Sequence, residues 1–377
     1  MSDIRQQICE RTSSQLKTLV PTLKSIGAVV GFDGFVDNII AVVDKRQDRH
    51  NYEPVKTIAH MGQKIAKAAG ESSNYELVVK QQKLGGNGPI MANALASFGL
   101  SVTYVGNLGS PAVHPVFHEF TQKANVISIA EPGVTDALEF EDGKLMLGKH
   151  GTLGDVNWEN LVKTIGLEAF TKLVSGAKLI GTVNWTMLPY MTDIWQRMYE
   201  TVLPALPKRE TFFVDLADPE KRTHEDIHAA LMLLSKFEKY VDVILGLNLK
   251  EAVEILHVLK LDVPANPEGE IENIAKAIRA KLNINCCVVH PRRGAAAATK
   301  SESASFKGPF VQQPKISTGA GDHFNAGFCL GRTLGLGLVE SLCCGVATSG
   351  YYVRTAISPS AADLSVFIAE LPPPQAD

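Results

Sequence analysis

An α/β fold on a mostly parallel sheet is what this sequence predicts, on three observations. Short apolar, β-branched runs recur at 28–32, 102–105, 179–183, 212–216, 243–247 and 287–290. Longer stretches with helical spacing of apolar residues lie between them, at 89–98, 192–203, 226–240, 250–259 and 271–282, and strands separated by helices read as βαβ units. Several of the strand runs are apolar throughout rather than alternating, which fits burial on both faces.

Composition agrees with this reading. Of 377 residues, 45% are hydrophobic and 20% charged, a globular mixture. A chain of this length buries roughly three quarters of its unfolded surface and needs no staples. The net charge of −3, from 37 basic and 40 acidic residues with no polybasic block, argues against a nucleic-acid partner. No apolar run reaches the roughly 20 residues that cross a bilayer, so no membrane partner is expected. The first fifteen residues mix Asp3, Arg5, Glu10 and Arg11 and carry no apolar segment, unlike a secretory signal. The six cysteines (Cys9, Cys286, Cys287, Cys329, Cys343 and Cys344) lack the spacing of a zinc site. They are expected as buried free thiols in a reducing, cytoplasmic setting.

Two stretches interrupt the alternation. Residues 45–84 are polar, and residues 134–150 alternate around an Asp142-Gly143 turn as a hairpin would. Both are expected to form a small β lid inserted in a single domain spanning 1–377. The outer face of that lid offers a surface for a homodimer. Trp158, Trp185 and Trp195 lie in or beside apolar segments and are expected in the core.

The sharpest local pattern is Ser317-Thr318-Gly319-Ala320-Gly321-Asp322, followed by an apolar helical run through Leu330. Small residues ahead of a helix let successive N–H groups converge on one point, and the positive helix end makes that point an anion site. A carboxylate in the first turn suits transfer of a phosphoryl group to an alcohol: the amides hold the charge and the carboxylate takes the hydroxyl proton. The competing reading is a glycine turn with Asp322 as a helix cap. No GxxxxGK[ST] string is present, so this is not a P-loop. His323 adjoins Asp322, but consecutive helical residues point about 100° apart, so it is expected behind the site or at the surface.

Taken together, the motifs resemble those of the ribokinase-like (PfkB-type) carbohydrate kinases, from about residue 28 to residue 370. Ser317–Phe328 matches most of that family's D-T-x-G-A-G-D signature, with Ile316 at its first Asp. Gly85-Gly86-Asn87-Gly88 opens a helix as the family's paired glycines do, with Ile90 where an asparagine is usual. Asn248-Leu249-Lys250-Glu251 matches an N-x-x-E motif at a strand end.

The resemblance implies a three-layer α/β/α sandwich and an ATP-dependent kinase acting on a sugar hydroxyl, with Mg²⁺. Asp322 takes the role of catalytic base, and Gly319, Ala320 and Gly321 that of the anion hole. Asp37 is the better match for the sugar-binding carboxylate by its spacing after Gly31, with Asp33 second. Gly85, Gly86 and Asn87 complete the sugar side. Glu251 and Asn248 help place Mg²⁺, mostly through water. On the nucleotide side stand Asn248, Asp215 and Gly319, with Arg292, Arg293 and Gly294 in a turn where Pro291 replaces a glycine. Isoleucine cannot ligate potassium, so activation by a monovalent cation is not expected at Ile316 unless carbonyl oxygens alone form the site. A nucleoside kinase of the same family and an inactive sugar-binding relative are the alternatives.

Overall fold

A computed structural model describes residues 2–375. Among them run fourteen strands: β1 (Gly27–Phe32), β2 (Phe35–Arg46), β3 (Tyr52–Pro54), β4 (Leu77–Gly85), β5 (Ser101–Gly106), β6 (Asn125–Ser128), β7 (Gly133–Phe140) and β8 (Gly143–Lys149) in the first half. The second half holds β9 (Leu179–Val183), β10 (Thr211–Asp215), β11 (Asp242–Leu247), β12 (Cys286–Val289), β13 (Gly294–Thr299) and β14 (Ser303–Lys307).

Nine of them form one sheet in the order β14-β13-β12-β11-β10-β9-β1-β5-β6. Pairing is parallel from β12 through to β6, and only β13 and β14 add antiparallel at the edge. Strand side chains alternate between two separate cores, as a period of two requires. Phe212, Val214, Val243 and Leu245 point into one, with Trp185 and Trp195. Phe213, Ile244 and Val288 point into the other, with Tyr104 and Phe328. Helices Met191–Arg197, His224–Phe237, Leu249–Val258 and Ile271–Leu282 cover the first face. Helices Asn87–Phe98, Ala320–Thr333, Leu338–Thr355 and Ala361–Ala369 cover the second. The three layers are those the family resemblance implied, and all six cysteines are buried and free.

Several elements differ from the expectation. The run at 192–203 is not one helix: the helix Met191–Arg197 widens to a π-turn over Met198–Val202 and tightens over Leu203–Ala205. Pro204, which has no N–H to donate, sits in that last turn. An N-terminal helix, Ser2–Leu19, went unread because it is mostly polar, yet it buries Cys9 and Leu16 in the second core. The Pro-rich run at 372–374, whose composition suggests fraying, is tied down: Phe310 N–H donates to Pro373 O, and Arg5 to Pro372 O at 2.8 Å.

The second, five-stranded sheet, where the lid is expected, extends beyond residues 45–84 and 134–150. It starts at Phe35, because β2 is its central strand, paired antiparallel with β4 and parallel with β7, while β7 and β8 form the expected hairpin. Residues 45–84 also hold a helix, Ile58–Lys67, capped by Thr57 Oγ1, which accepts from His60 N–H. Met61 of that helix joins Ile40, Val42, Val55 and Leu138 in a small core of the lid's own. Asp37 therefore sits on the lid, not on the main sheet.

Candidate active site

Five adjacent parallel strands end at one edge of the main sheet, and each delivers a polar group there. Asp33 follows β1, Asn184 follows β9, Asp215 ends β10, Asn248 follows β11 and His290 follows β12. A crevice beyond the carboxyl ends of parallel strands is where open α/β sheets bind ligands. The glycine turn closes that crevice from the helical side. Gly319 (φ 84°) occupies the left-handed region that side chains avoid, and from it springs the helix Ala320–Thr333. Ala320 N–H turns back to Ser317 O at 3.2 Å, so of the three amides assigned to the anion hole this one has a partner within the turn.

Asp322 lies in the first turn of that helix, 7% exposed, and its Oδ1 accepts from Asn87 Nδ2 at 2.9 Å. Burial pushes its carboxyl up to about 7 against the Asn87 hydrogen bond, with Asp33 and Glu251 adding repulsion. Asn87 opens the helix Asn87–Phe98, whose preceding Gly86 has φ 96°. Asp33 caps this helix from a distance. Its Oδ2 accepts from Asn87 N–H at 2.9 Å and Asn184 Nδ2 at 2.7 Å, and its Oδ1 from Gly88 N–H at 2.8 Å. Tyr104 donates to its main-chain carbonyl. Asp33 is fully enclosed, and burial raises it to about 6 despite those donors. It does not make an Asx-turn of its own. It fixes Asn87, which fixes Asp322.

Asp37, half-buried on β2, is raised by burial and opposed by a hydrogen bond from Thr135. Its carboxylate fills the space beside Gly85: a Cβ there would stand 2.5 Å from it. Asp37, Gly85 and Gly86 thus adjoin Asn87 on the lid side, away from the main cavity.

That cavity measures about 900 Å³. It brings together Asn87, Asp215, Asn248, Glu251, Asp322 and the Gly319–Gly321 turn, with Arg292, Arg293 and Gly294 on its rim. Asp215 Oδ1 accepts from Ala217 N–H at 2.8 Å and Oδ2 from Asn325 Nδ2 at 2.6 Å. Asn248 and Glu251 form a reciprocal cap on the helix Leu249–Val258: Asn248 Oδ1 accepts from Glu251 N–H and Glu251 Oε2 from Asn248 N–H. Glu251 Oε1 also accepts from Asp218 N–H. Asp215 and Glu251 are both raised, first by burial and then by neighbouring carboxylates. Arg293 is paired with Glu268 at 3.8 Å.

Sequence reasoning missed Asn184, a left-handed residue (φ 61°) just past β9, and the apolar wall of Phe310, Val311, Val346 and Val353. An Asn ending a buried run was the only signal for the first, and nothing marked the second. His323 is buried behind the turn: Nδ1 meets Gly319 O at 2.7 Å, Nε2 meets Ser358 Oγ at 2.8 Å, and its ring stacks on Tyr352. Trp185 and Trp195 are core residues as expected, and Trp158 packs against the same core.

Among the described residues, no three His, Cys, Asp or Glu side chains converge closely enough to hold a metal ion. The donor set instead suits a hydrated cation. Three buried carboxylates (Asp215, Glu251 and Asp322) raise one another along one cavity wall, and magnesium keeps several waters while sharing phosphate oxygens.

The sequence profile of the prokaryotic ketohexokinase family matches residues 7–371. The chain belongs to that family. It is thus a PfkB-type carbohydrate kinase with the ribokinase-like fold, a phosphotransferase. It is 29% identical over 361 residues to a ketohexokinase from Haloferax volcanii, covering 95% of each chain. Among solved structures it resembles a phosphofructokinase-2 variant from Escherichia coli (TM-score 0.64, 14% identity, 92% of this chain and 98% of that one). It also resembles Arabidopsis thaliana ribokinase complexed with ribose and ATP (TM-score 0.62, 16% identity, 92% of this chain and 99% of that one). No helix among the described residues is long and apolar enough to cross a membrane.

Proposed function

We propose that this kinase transfers the γ-phosphoryl group of ATP to a hydroxyl of a ketohexose, with Asp322 as general base. The observation that carries the assignment is the placement of Asp322. It stands in the first turn of a helix beside the Gly319 turn, held by Asn87 and raised to about 7 by burial. A base with a pKa near neutrality is ionised at working pH and still takes a proton readily. As the sugar oxygen attacks the γ-phosphorus, its proton passes to the Asp322 carboxylate, the bond to the β-phosphate oxygen breaks, and ADP leaves. The free N–H groups of the helix start, with Gly319 and Gly321, face the transferred charge.

The sugar side is Asp37, Gly85, Gly86 and Asn87, with Asp33 holding Asn87 in place. The lid carrying Asp37 limits water as a competing acceptor. Glu251 and Asn248 would hold Mg²⁺ through water, and the ion would supply neutralising charge to the phosphates. The polyphosphate lies toward Asp215 and Arg292, and the Phe310–Val353 wall takes the base. Ketohexose as acceptor rests on the family and on the Haloferax relative. A homodimer through the lid is favoured by exposed Leu77, Val79, Met146 and Leu147 on its strands, and sedimentation of a Val79→Lys variant tests it.

The test is ATP turnover with Mg²⁺ over ketohexoses, aldohexoses, ribose, sugar phosphates and nucleosides. Highest kcat/KM on a ketohexose supports the proposal. Turnover confined to ribose or a nucleoside refutes it.

A further inference from the structure

His290 follows β12 and lines the main cavity, and the mechanism above leaves it without a role. Its main-chain N–H donates to Leu247 O at 2.9 Å, which fixes the residue to the sheet edge. Its ring stacks on Phe324, centroids 4.5 Å apart and planes 26° apart, in the helix that carries Asp322. Its Cε1 would stand 3.5 Å from a Cβ at Gly321, so the imidazole lies directly beneath the anion turn. Nε2, next to that carbon, is buried and has no hydrogen-bonding partner in the protein. Buried polar atoms are nearly always satisfied, and leaving one unpaired is costly. The next residue, Pro291, has no N–H, so the strand end offers no main-chain donor there.

We propose that His290 is a nucleotide-binding residue, its Nε2–H donating to the polyphosphate of ATP where that chain passes the Gly319–Gly321 turn. This rests on the ATP-dependent reading above. Burial lowers its pKa to about 4, leaving it neutral, and in the tautomer with the proton on Nε2 it has one N–H to give. It adds a donor without placing a fixed cation among the carboxylates that must stay reactive. Stacking on Phe324 holds the ring, so little is lost in ordering it when the nucleotide arrives.

The experiment is calorimetric binding of ATP and of adenosine, with Mg²⁺, to wild type, His290→Phe and His290→Gln. His290→Phe keeps an aromatic ring on Phe324 and removes the donor. The expected result is about tenfold weaker ATP binding, the scale of one charge-assisted hydrogen bond, with adenosine affinity unchanged within about twofold. His290→Gln, which restores an N–H, should recover part of the loss. Unchanged ATP affinity in His290→Phe overturns the proposal, as does equal weakening of ATP and adenosine, which would mean the ring only shapes the cavity. Should the variants not fold, the wild-type imidazole ¹⁵N resonances serve instead. A shift of Nε2 on adding ATP but not adenosine supports the contact, and its absence overturns it. Wild type that binds no ATP brings down the underlying reading; wild type that binds ATP with His290 indifferent brings down only this one.

Discussion

Replacing Asn87 by alanine tests what its side-chain hydrogen bond does to Asp322, the proposed catalytic base. Asn87 Nδ2 donates to Asp322 Oδ1 at 2.9 Å, and this bond opposes the burial that raises the carboxyl to about 7. It favours the ionised form, so deleting it must raise the pKa further. A hydrogen bond to a charged group contributes about 1.5–3 kcal/mol, which corresponds to between one and two pKa units. Water entering the truncated space replaces part of that, so a rise of about one unit is expected. The base works only when ionised. Turnover therefore falls as pH drops through the pKa, and the acid limb of kcat should move from near 7 to about 8. At about pH 6.5 the variant should lose on the order of tenfold in kcat, and at about pH 9.5 almost nothing. Steady-state kinetics across pH with both substrates saturating measures this. A uniformly lowered profile with an unmoved limb would refute the reasoning, since Asn87 would then be acting on geometry alone.

Asp322→Asn should lower kcat by about 10² to 10⁴ while leaving ATP affinity nearly unchanged, checked by kinetics and calorimetry. Asp33→Ala should mainly destabilise, by about 2–4 kcal/mol in denaturant unfolding, because two buried donors (Gly88 N–H and Asn184 Nδ2) and the part-buried Asn87 N–H lose their acceptor. Asp37→Ala should instead lower kcat/KM for the sugar by roughly 10² with little change in Tm. Asp33 and Asp322 both have folded pKa values above their unfolded ones, so the native state binds more protons between them. Stability of the ligand-free protein should therefore fall as pH rises from about 4 to about 7, seen as a declining Tm, with a shallower decline for the double Asn variant, in which Asp215 and Glu251 remain raised.

The strands of the main sheet were readable because burial on both faces leaves a local signature, a short run such as Leu179–Val183 bounded by helical periodicity. The helix Ile271–Leu282 was readable for the same reason, since its amphipathic spacing is written within one segment. Strand β2 was not: its flanks are charged, its burial alternates irregularly, and its partners β4 and β7 lie far along the chain. The motif at 317–328 points to phosphoryl transfer from sequence alone, because an anion turn is a local backbone property.

What the sequence by itself determined is the α/β class, the glycine turn and the identity of the chemical groups. Tertiary structure alone decided where those groups stand and what they contact. Asp33 and Asp37 are four residues apart and look interchangeable, yet one is sealed beneath a helix start and the other rides on the lid. The chain from Asn184 through Asp33 and Asn87 to Asp322 joins residues remote in sequence, and no local pattern encodes it. The raised carboxyls follow from the same closure. Desolvation depends on which atoms surround a group, and those atoms arrive from strands and helices across the whole fold.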